Sequence, residues 1–235
     1  MARSFESSVV TSSSRGTDRS ILETNPKIVI AIDYGTTFSA VAYCLLPADT
    51  RPRVIEDWPG RSSAGRRRVE ETPTIIMYYK DSSGRQYKLG YEVNNVLKSP
   101  RRPRSQITQP ISFAKLLLDE TYRSQDYKDT VRTALHTLNL EEVTIHEDIL
   151  RGLYQHAKTR IDVQNPRQMT SQSTFECAIC VPAVWSPAAN RTVMEAAQRA
   201  GLPNPYLVSE PEAAAAFVIM ERKVANLQVY LSNNH

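Results

Sequence analysis

One apolar segment, with the polar turn that follows it, constrains the fold more than any other part of this chain. Residues 28–32 read Ile-Val-Ile-Ala-Ile, a continuous β-prone run of the kind found in strands that are buried on both faces. Residues 33–37, Asp-Tyr-Gly-Thr-Thr, interrupt the run, and a second apolar stretch extends from Phe38 to Leu46. The pattern predicts two strands joined by a tight polar turn.

Length and composition set the broad class. The chain has 235 residues and is 41% hydrophobic, which is enough to bury a core in one large or two small domains. It has no apolar run of about 18 residues, as a membrane span needs, and no apolar stretch near its start that resembles a signal peptide. Three cysteines suit a reducing compartment. We therefore expect a protein of the cytoplasm or the nucleus, with no membrane partner.

The positive charge is concentrated in two segments. Residues 51–68 hold six Arg against two acidic residues, and residues 98–104 add four unopposed basic residues, so the rest of the chain carries −4 of the net +4. Both segments lie among Pro, Gly and Ser, with Trp58 as the single aromatic residue in either, which favours solvated loops over a nucleic-acid-binding surface. We predict that the loops at 61–68 and 98–104 are mobile and dispensable for the fold. RNA binding through these arginines is the alternative, and it would depend steeply on salt.

The first half of the chain divides into a tail, a hairpin and helices. Residues 1–26 are rich in Ser, Thr and charge and are predicted to be a disordered tail. Residues 74–79 and 86–89 are predicted strands joined by the turn residues 81–84, and helical signals dominate from about Ile111. The clearest helix is predicted to begin at Thr144, with Glu147 completing a capping box. Its apolar face comprises Ile149, Leu150, Leu153, Tyr154, Ala157 and Ile161.

The second half alternates strands and helices. Residues 175–181 are a predicted buried strand, and Ser186-Pro187 begins a helix that ends at Gly201. Residues 206–208 form a short strand, after which Ser209 and Glu212 make a capping box for an Ala-rich helix through about Lys223. This order predicts an α/β fold with a mixed sheet flanked by helices. We assign residues 27–223 to one lobe and 224–235 to a C-terminal tail.

The turn at 33–37 is the first candidate for chemistry. A carboxylate at a strand end, Asp33, can hold hydrated magnesium, and Gly35 lets the backbone approach an anion closely. The following amides and the hydroxyls of Thr36 and Thr37 would donate to phosphate oxygens. An ordinary hairpin turn capped by Asp and Thr is the alternative.

Three motifs give the chain a family resemblance. The Asp-x-Gly-Thr-Thr turn after a buried strand resembles the first phosphate loop of the actin, hexokinase and heat shock protein 70 superfamily. Residues 181–185 (Val-Pro-Ala-Val-Trp) with Asn190-Arg191, and then residues 209–216 (Ser-Glu-Pro-Glu-Ala-Ala-Ala-Ala), resemble heat shock protein 70 segments. The middle of the chain is closer to divergent fungal or metazoan heat-shock-like proteins than to the housekeeping chaperones of this family. The resemblance covers about residues 28–220 and implies an actin-like ATPase lobe of the ribonuclease H-like type.

The resemblance implies ATP and Mg²⁺ as cofactors and assigns roles to individual residues. It makes Asp33 a ligand of magnesium-bound water, Thr36 and Thr37 phosphate contacts, and Glu210 a second carboxylate that serves the metal or the attacking water. Residues 112–116 match a family segment whose lysine lies beside the γ-phosphate, which places Lys115 there. Glu210 has an alternative role that is compatible with the first, namely stabilising a helix N-terminus. The alternative for Lys115 is an ordinary position on the surface.

Two further pairs of residues have both functional and ordinary interpretations. In the family, a proline and an arginine relay the nucleotide state, which places Pro182 and Arg191 in that role; a strand terminator and a solvated helix residue are the alternatives. Cys177 and Cys180 form a Cys-x-x-Cys, but residues three apart on a strand point to opposite faces, so we predict core cysteines and no metal or redox site.

The family's second phosphate loop, with an Asp-x-Gly-Gly-Gly-Thr pattern, has no counterpart here, because Gly201 is the last glycine of the sequence. We therefore expect half of a phosphate clamp, a lobe truncated before the second lobe and inactive alone. Two functions follow. The chain is the ATP-binding lobe of a heat-shock-70-like chaperone ATPase, or it is a non-enzymatic remnant whose exposed inter-lobe face binds another protein chain.

Overall fold

The computed structural model describes residues 26–49, 51–61, 69–99, 109–119 and 125–232, and the backbone alone for residues 168–169 and 223–232. The predicted tail, apart from Pro26, and most of both basic loops lie outside the described residues, so those predictions stay open. Among the described residues, no helix is both long enough and apolar enough to cross a membrane.

The described part of the chain contains strands, six α-helices and one 3₁₀ turn. The strands are β1 (Lys27–Asp33), β2 (Phe38–Leu46), β3 (Arg53–Val54), β4 (Glu71–Pro73), β5 (Ile75–Asp81), β6 (Gly84–Leu89), β7 (Ile111–Ser112), β8 (Thr174–Val181) and β9 (Pro205–Ser209). The helices are α1 (Tyr91–Lys98), α2 (Gln125–Thr137), α3 (Glu142–Gln164), α4 (Arg167–Gln172), α5 (Pro187–Arg199) and α6 (Glu210–Ser232). The 3₁₀ turn spans Ala114–Leu117.

A mixed six-stranded sheet forms the centre of the fold. Its strand order is β3-β2-β1-β8-β9, with β4 also paired to β2. Strand β2 runs antiparallel to β1, whereas β8 pairs in parallel with β1 on one side and with β9 on the other. A second, antiparallel sheet has the order β6-β5-β7 and contains the predicted hairpin. The predicted α/β class, with a mixed sheet flanked by helices, is confirmed.

Alternation along β1 explains how helices cover the sheet. Ile28, Ile30, Ile32 and Tyr34 are fully buried and follow one another at a spacing of two, so they line one face. The predicted apolar face of α3 is buried in the same core, with only Tyr154 partly exposed. Burying the two faces against each other fixes the register of β1, because a slip of one residue would expose every isoleucine.

Two predicted helix starts are wrong. Helix α3 begins at Glu142, not at Thr144, whose N–H donates to the carbonyl of Glu141 within the first turn. Acidic residues at the N-terminus interact favourably with the helix dipole, which favours the earlier start. Helical signals were expected from about Ile111, but Ile111 begins the short strand β7, which pairs with β5, and the next α-helix among the described residues is α2.

The predicted starts of the last two helices are confirmed. The Ser186 hydroxyl accepts the Ala189 N–H of α5 at 3.2 Å. Ser209 and Glu212 exchange bonds as a capping box, with backbone N–H groups donating to the Glu212 carboxylate at 3.1 Å and to the Ser209 hydroxyl at 3.3 Å. Helix α6 was expected to end near Lys223 but continues to Ser232, because no Gly or Pro interrupts residues 212–232.

Candidate functional site

The predicted site residues lie where three parallel strands end. Asp33 ends β1 level with Cys180 of β8, and Val181 is level with Ser209, the last residue of β9. Glu210 follows at once as the first residue of α6. Two strand spacings, roughly 10 Å, separate β1 from β9, and Glu210 lies two positions beyond Val208, the residue level with Asp33 across β8. Open α/β sheets bind their ligands at this carboxyl edge.

The turn after β1 is closely packed around Gly35. A Cβ added to this glycine would lie 1.9 Å from the carbonyl oxygen of Phe38, so no other residue fits the turn without a shift of the backbone. The Thr74 N–H donates to the Thr37 carbonyl at 2.8 Å, and the buried hydroxyls of Ser39 and Thr74 are bonded at 2.8 Å. Thr74 therefore holds the end of the turn through two hydrogen bonds. The chain packs closely against itself at this turn, and this packing requires a glycine at position 35. The predicted approach of an anion would be a second reason for the same residue.

Lys115 reaches the site with its ammonium held on three sides. The residue is only 5% exposed, although a plain surface position was the alternative. Its Nζ lies 5.9 Å from the centre of the Tyr34 ring and 5.1 Å from that of Trp185, both within the range of cation–π attraction. The Glu210 carboxylate accepts its hydrogen bond at 3.3 Å. We call Tyr34, Trp185 and Glu210 the lysine cage.

A buried histidine positions the Tyr34 side of the lysine cage. The Tyr34 hydroxyl and Nδ1 of His146, on α3, lie 2.8 Å apart, and both residues are fully buried. Burial lowers the pKa of His146 to about 4 and raises the pKa of Tyr34 far above its ordinary value, so both groups are neutral near pH 7. This bond fixes the ring on which the Lys115 ammonium rests.

Asp33 belongs to the same electrostatic cluster. The residue is exposed overall, yet partial burial of its carboxyl group raises its pKa. The Lys115 ammonium lowers this pKa, and the Glu210 carboxylate raises it. Desolvation outweighs the attraction of the single cation. Glu210 thus bonds the Lys115 ammonium and Asp33 interacts with it electrostatically, an arrangement that suits a ligand carrying both phosphate and a metal ion.

The remaining predicted residues lie around this cluster without joining it. Thr36 is half-buried and Thr37 exposed, beside Asp33 along the chain. The Pro182 carbonyl accepts the Trp185 N–H at 3.2 Å, so the proline shapes the turn that carries one wall of the lysine cage. Arg191 lies exposed on α5. The structure leaves the catalytic, metal-binding and relay roles as predictions.

The cysteines behave as sequence alternation suggests. Cys177 is fully buried, and burial raises the pKa of its thiol to about 12. Cys180 is half-buried beside Asp33, and burial, Asp33 and Glu210 raise the pKa of its thiol, against the opposing charge of Lys115. Within the part of the chain that the structure describes, both thiols are free. The described residues contain no cluster of three or more His, Cys, Asp or Glu that could hold a metal ion by direct ligation.

Sequence reasoning missed three residues of the site. Tyr34 lies within the quoted turn, but only its spacing of two from Ile32 hinted that its ring is buried. Trp185 lies within the quoted segment of residues 181–185, but its contact with Lys115 was not foreseen. His146 gave no signal, because 112 positions separate it from its partner.

Comparisons with known proteins agree with the resemblance to heat shock protein 70 segments and show how much of each chain the similarity covers. No protein-family model matches the chain. Heat shock 70 kDa protein 12A of Mus musculus is 25% identical over 81% of this chain, and its Homo sapiens counterpart is 24% identical over the same share. Chaperone protein DnaK of Buchnera aphidicola subsp. Schizaphis graminum is 28% identical over 80%. The chain spans 27–28% of the length of these relatives. A distant relationship to heat-shock-70-type proteins is therefore supported.

Proposed function

We propose that this chain is the ATP-binding lobe of a heat-shock-70-like chaperone ATPase. The carrying observation is the position of Lys115, a buried ammonium that bonds Glu210 and interacts electrostatically with Asp33 at the carboxyl edge of three parallel strands. The similarity to two kinds of heat-shock-70-type proteins supports the same interpretation.

Each residue of the cluster has a task in this proposal. The Lys115 ammonium pairs with the outermost phosphate, and the Thr36 and Thr37 hydroxyls donate to phosphate oxygens. Asp33 would hold a magnesium-bound water, and magnesium, when bound, would neutralise phosphate charge. Glu210 orients water for attack, held in place by its bond to Lys115. An ammonium fixed by aromatic rings moves little on binding, which suits catalysis by positioning.

The described residues contact a nucleotide from one side only. A single turn and one lysine offer a few charge-assisted bonds, whereas binding must first offset several kcal/mol of lost translational and rotational freedom. We therefore propose that the 235-residue chain alone binds Mg-ATP with a dissociation constant on the order of 1 mM or weaker and does not turn it over.

Calorimetric titration with Mg-ATP, combined with a phosphate-release assay, tests this function. The matched control is Asp33→Asn, which keeps the shape of the side chain and removes its charge. We expect weak binding that the substitution abolishes and no turnover by either chain. Equal heats for both chains would reject the site, and turnover abolished by Asp33→Asn would reject the proposed inactivity.

A protein-interaction module is the second candidate, and α6 favours it. Phe217, Val218 and Ile219 are 57%, 49% and 55% exposed, a concentration of apolar surface that soluble proteins usually cover. In this second candidate function, another protein chain covers these apolar residues of α6. Sedimentation of the wild type against Phe217→Ser/Ile219→Ser tests it, since only the wild type should bind a partner or itself. Mg-ATP binding should be the same in both.

A further inference from the structure

A separate cavity is lined by residues of α3 that lie about two to three turns beyond His146. It has a volume of about 140 Å³ and is walled by Trp58, Tyr87, Leu89, Gly152, Leu153 and His156. It shares no residue with the proposed nucleotide site. Five parts of the fold meet here, namely α3, β6, β4, α1 and the segment that follows β3.

Gly152 lets these elements close on one another. A Cβ at this position would lie 2.0 Å from Cδ1 of Leu89, so any other residue would displace the Leu89 side chain from its place in the wall. A glycine inside a helix costs roughly 1 kcal/mol relative to alanine. The close approach that forms the cavity wall is a physical reason for this glycine.

Two ring nitrogens beside the cavity have no partner. Nε1 of Trp58 and Nε2 of His156 are buried and make no hydrogen bond to any described residue. The two rings stack with their centres 5.0 Å apart and an angle of 34° between their planes. Leaving such groups unpaired costs roughly 1–3 kcal/mol each, so a site containing two of them calls for a partner.

The two nitrogens have opposite hydrogen-bonding roles. Burial lowers the pKa of His156 and the backbone of Asp57 raises it, and we assign the ring proton to Nδ1 because Nε2 makes no hydrogen bond to a described residue. A ring N–H that donates to a carbonyl leaves Nε2 as a bare acceptor, and burial lowers the pKa of His156 and keeps the ring neutral. The Trp58 indole offers only a donor. One hydroxyl group satisfies both, since it donates to Nε2 and accepts from the indole N–H.

The walls and volume define the rest of the ligand. A cavity of about 150 Å³ with apolar walls holds a benzene molecule, so this one accommodates a single ring. The Trp58 and Tyr87 rings favour an aromatic occupant. The carboxylate of Glu92, also beside the cavity, has Lys88 at 3.9 Å as its counter-charge, so no net charge is required of the ligand. We propose that this cavity binds a small neutral phenol, with its hydroxyl between Trp58 and His156.

Titration of the full chain with phenol, followed by the indole N–H signals in a proton–nitrogen correlation spectrum, tests the proposal. Toluene is the matched ligand without a hydroxyl. Phenol should shift the Trp58 indole proton downfield in a saturable way and leave the Trp185 signal unchanged. Toluene should bind about tenfold more weakly and cause no downfield shift, because it leaves both nitrogens unpaired.

Two variants locate the binding. His156→Phe keeps a ring but removes the acceptor, so the preference for phenol over toluene should disappear. Gln155→Trp adds bulk at an exposed residue beside the cavity and should block both ligands. No saturable shift, equal binding of phenol and toluene to the wild type, or a preference that survives in His156→Phe would each overturn the proposal. The comparison of ligands in the wild type requires no variant to fold.

Discussion

The buried histidine behind the lysine cage makes the stability of this protein depend on pH. His146 is fully buried, and burial lowers its pKa from 6.5 to about 4. Replacing it with asparagine, whose amide can still bond the Tyr34 hydroxyl, removes the titrating ring and keeps a polar partner. The His146→Asn variant therefore isolates the proton from the hydrogen bond.

The sign and the size of the effect follow from the two pKa values. Between pH 6.5 and about 4 the unfolded chain binds a proton at His146 that the folded chain does not. The stability contributed by the neutral ring is therefore complete above pH 6.5 and is lost as the pH falls towards 4. At about 1.4 kcal/mol per pKa unit, the loss is about 3 kcal/mol. Domains of this size have a total of roughly 5–15 kcal/mol.

Urea unfolding at several pH values between neutrality and about 4 measures this loss, with circular dichroism and fluorescence as independent probes. The wild type should lose about 3 kcal/mol more than His146→Asn over this range. The other shifted groups, including His156, Asp33 and Asp148, are present in both chains and cancel in the difference. Parallel curves for the two chains would refute the reasoning.

Three smaller perturbations test the elements around the site. Gly35→Ala should lower the free energy of unfolding by about 2 kcal/mol or more, because the new methyl group would collide with the carbonyl oxygen of Phe38. An unchanged midpoint of urea unfolding would contradict the close packing of the turn. Ser209→Ala should cost about 1 kcal/mol in the same assay through loss of the capping box, and no cost would show that the cap is not needed. Trp185→Leu removes one wall of the lysine cage and should therefore speed the reductive methylation of Lys115, measured by mass spectrometry. The methylation of Lys128, which is equally buried, should not change. Equal methylation rates of Lys115 in the wild type and the variant would reject the lysine cage.

Local patterns predicted the elements well where each pattern belongs to one segment. The run from Ile28 to Ile32 and the charge at Asp33 located the end of β1, because alternation and turn chemistry are set by neighbours along the chain. The capping pair of Ser209 and Glu212 was found for the same reason. The similar pair at Thr144 misled, since an acidic residue upstream offers an equally good helix start.

Contacts between distant segments could not be predicted in this way. Tyr34, Lys115 and Trp185 meet only because β1, the 3₁₀ turn and the loop after β8 converge at one edge of the sheet. Periodicity orients each side chain on its own element but says nothing about which elements become neighbours. Lys115 was found through a partial family match, whereas the rings that hold it had no pattern of their own.

The most direct test of the central claim asks whether nucleotide phosphate engages Lys115. In a Trp58→Phe chain the indole of Trp185, 5.1 Å from the Lys115 ammonium, is the only tryptophan and reports on that contact. Its fluorescence is followed during titration with Mg-ATP, excited at the red edge of the indole band where adenine does not absorb, in chains with Lys115 and with Lys115→Met. The account predicts a weak, saturable change that the lysine-free chain lacks. The same titration curve from both chains would contradict it.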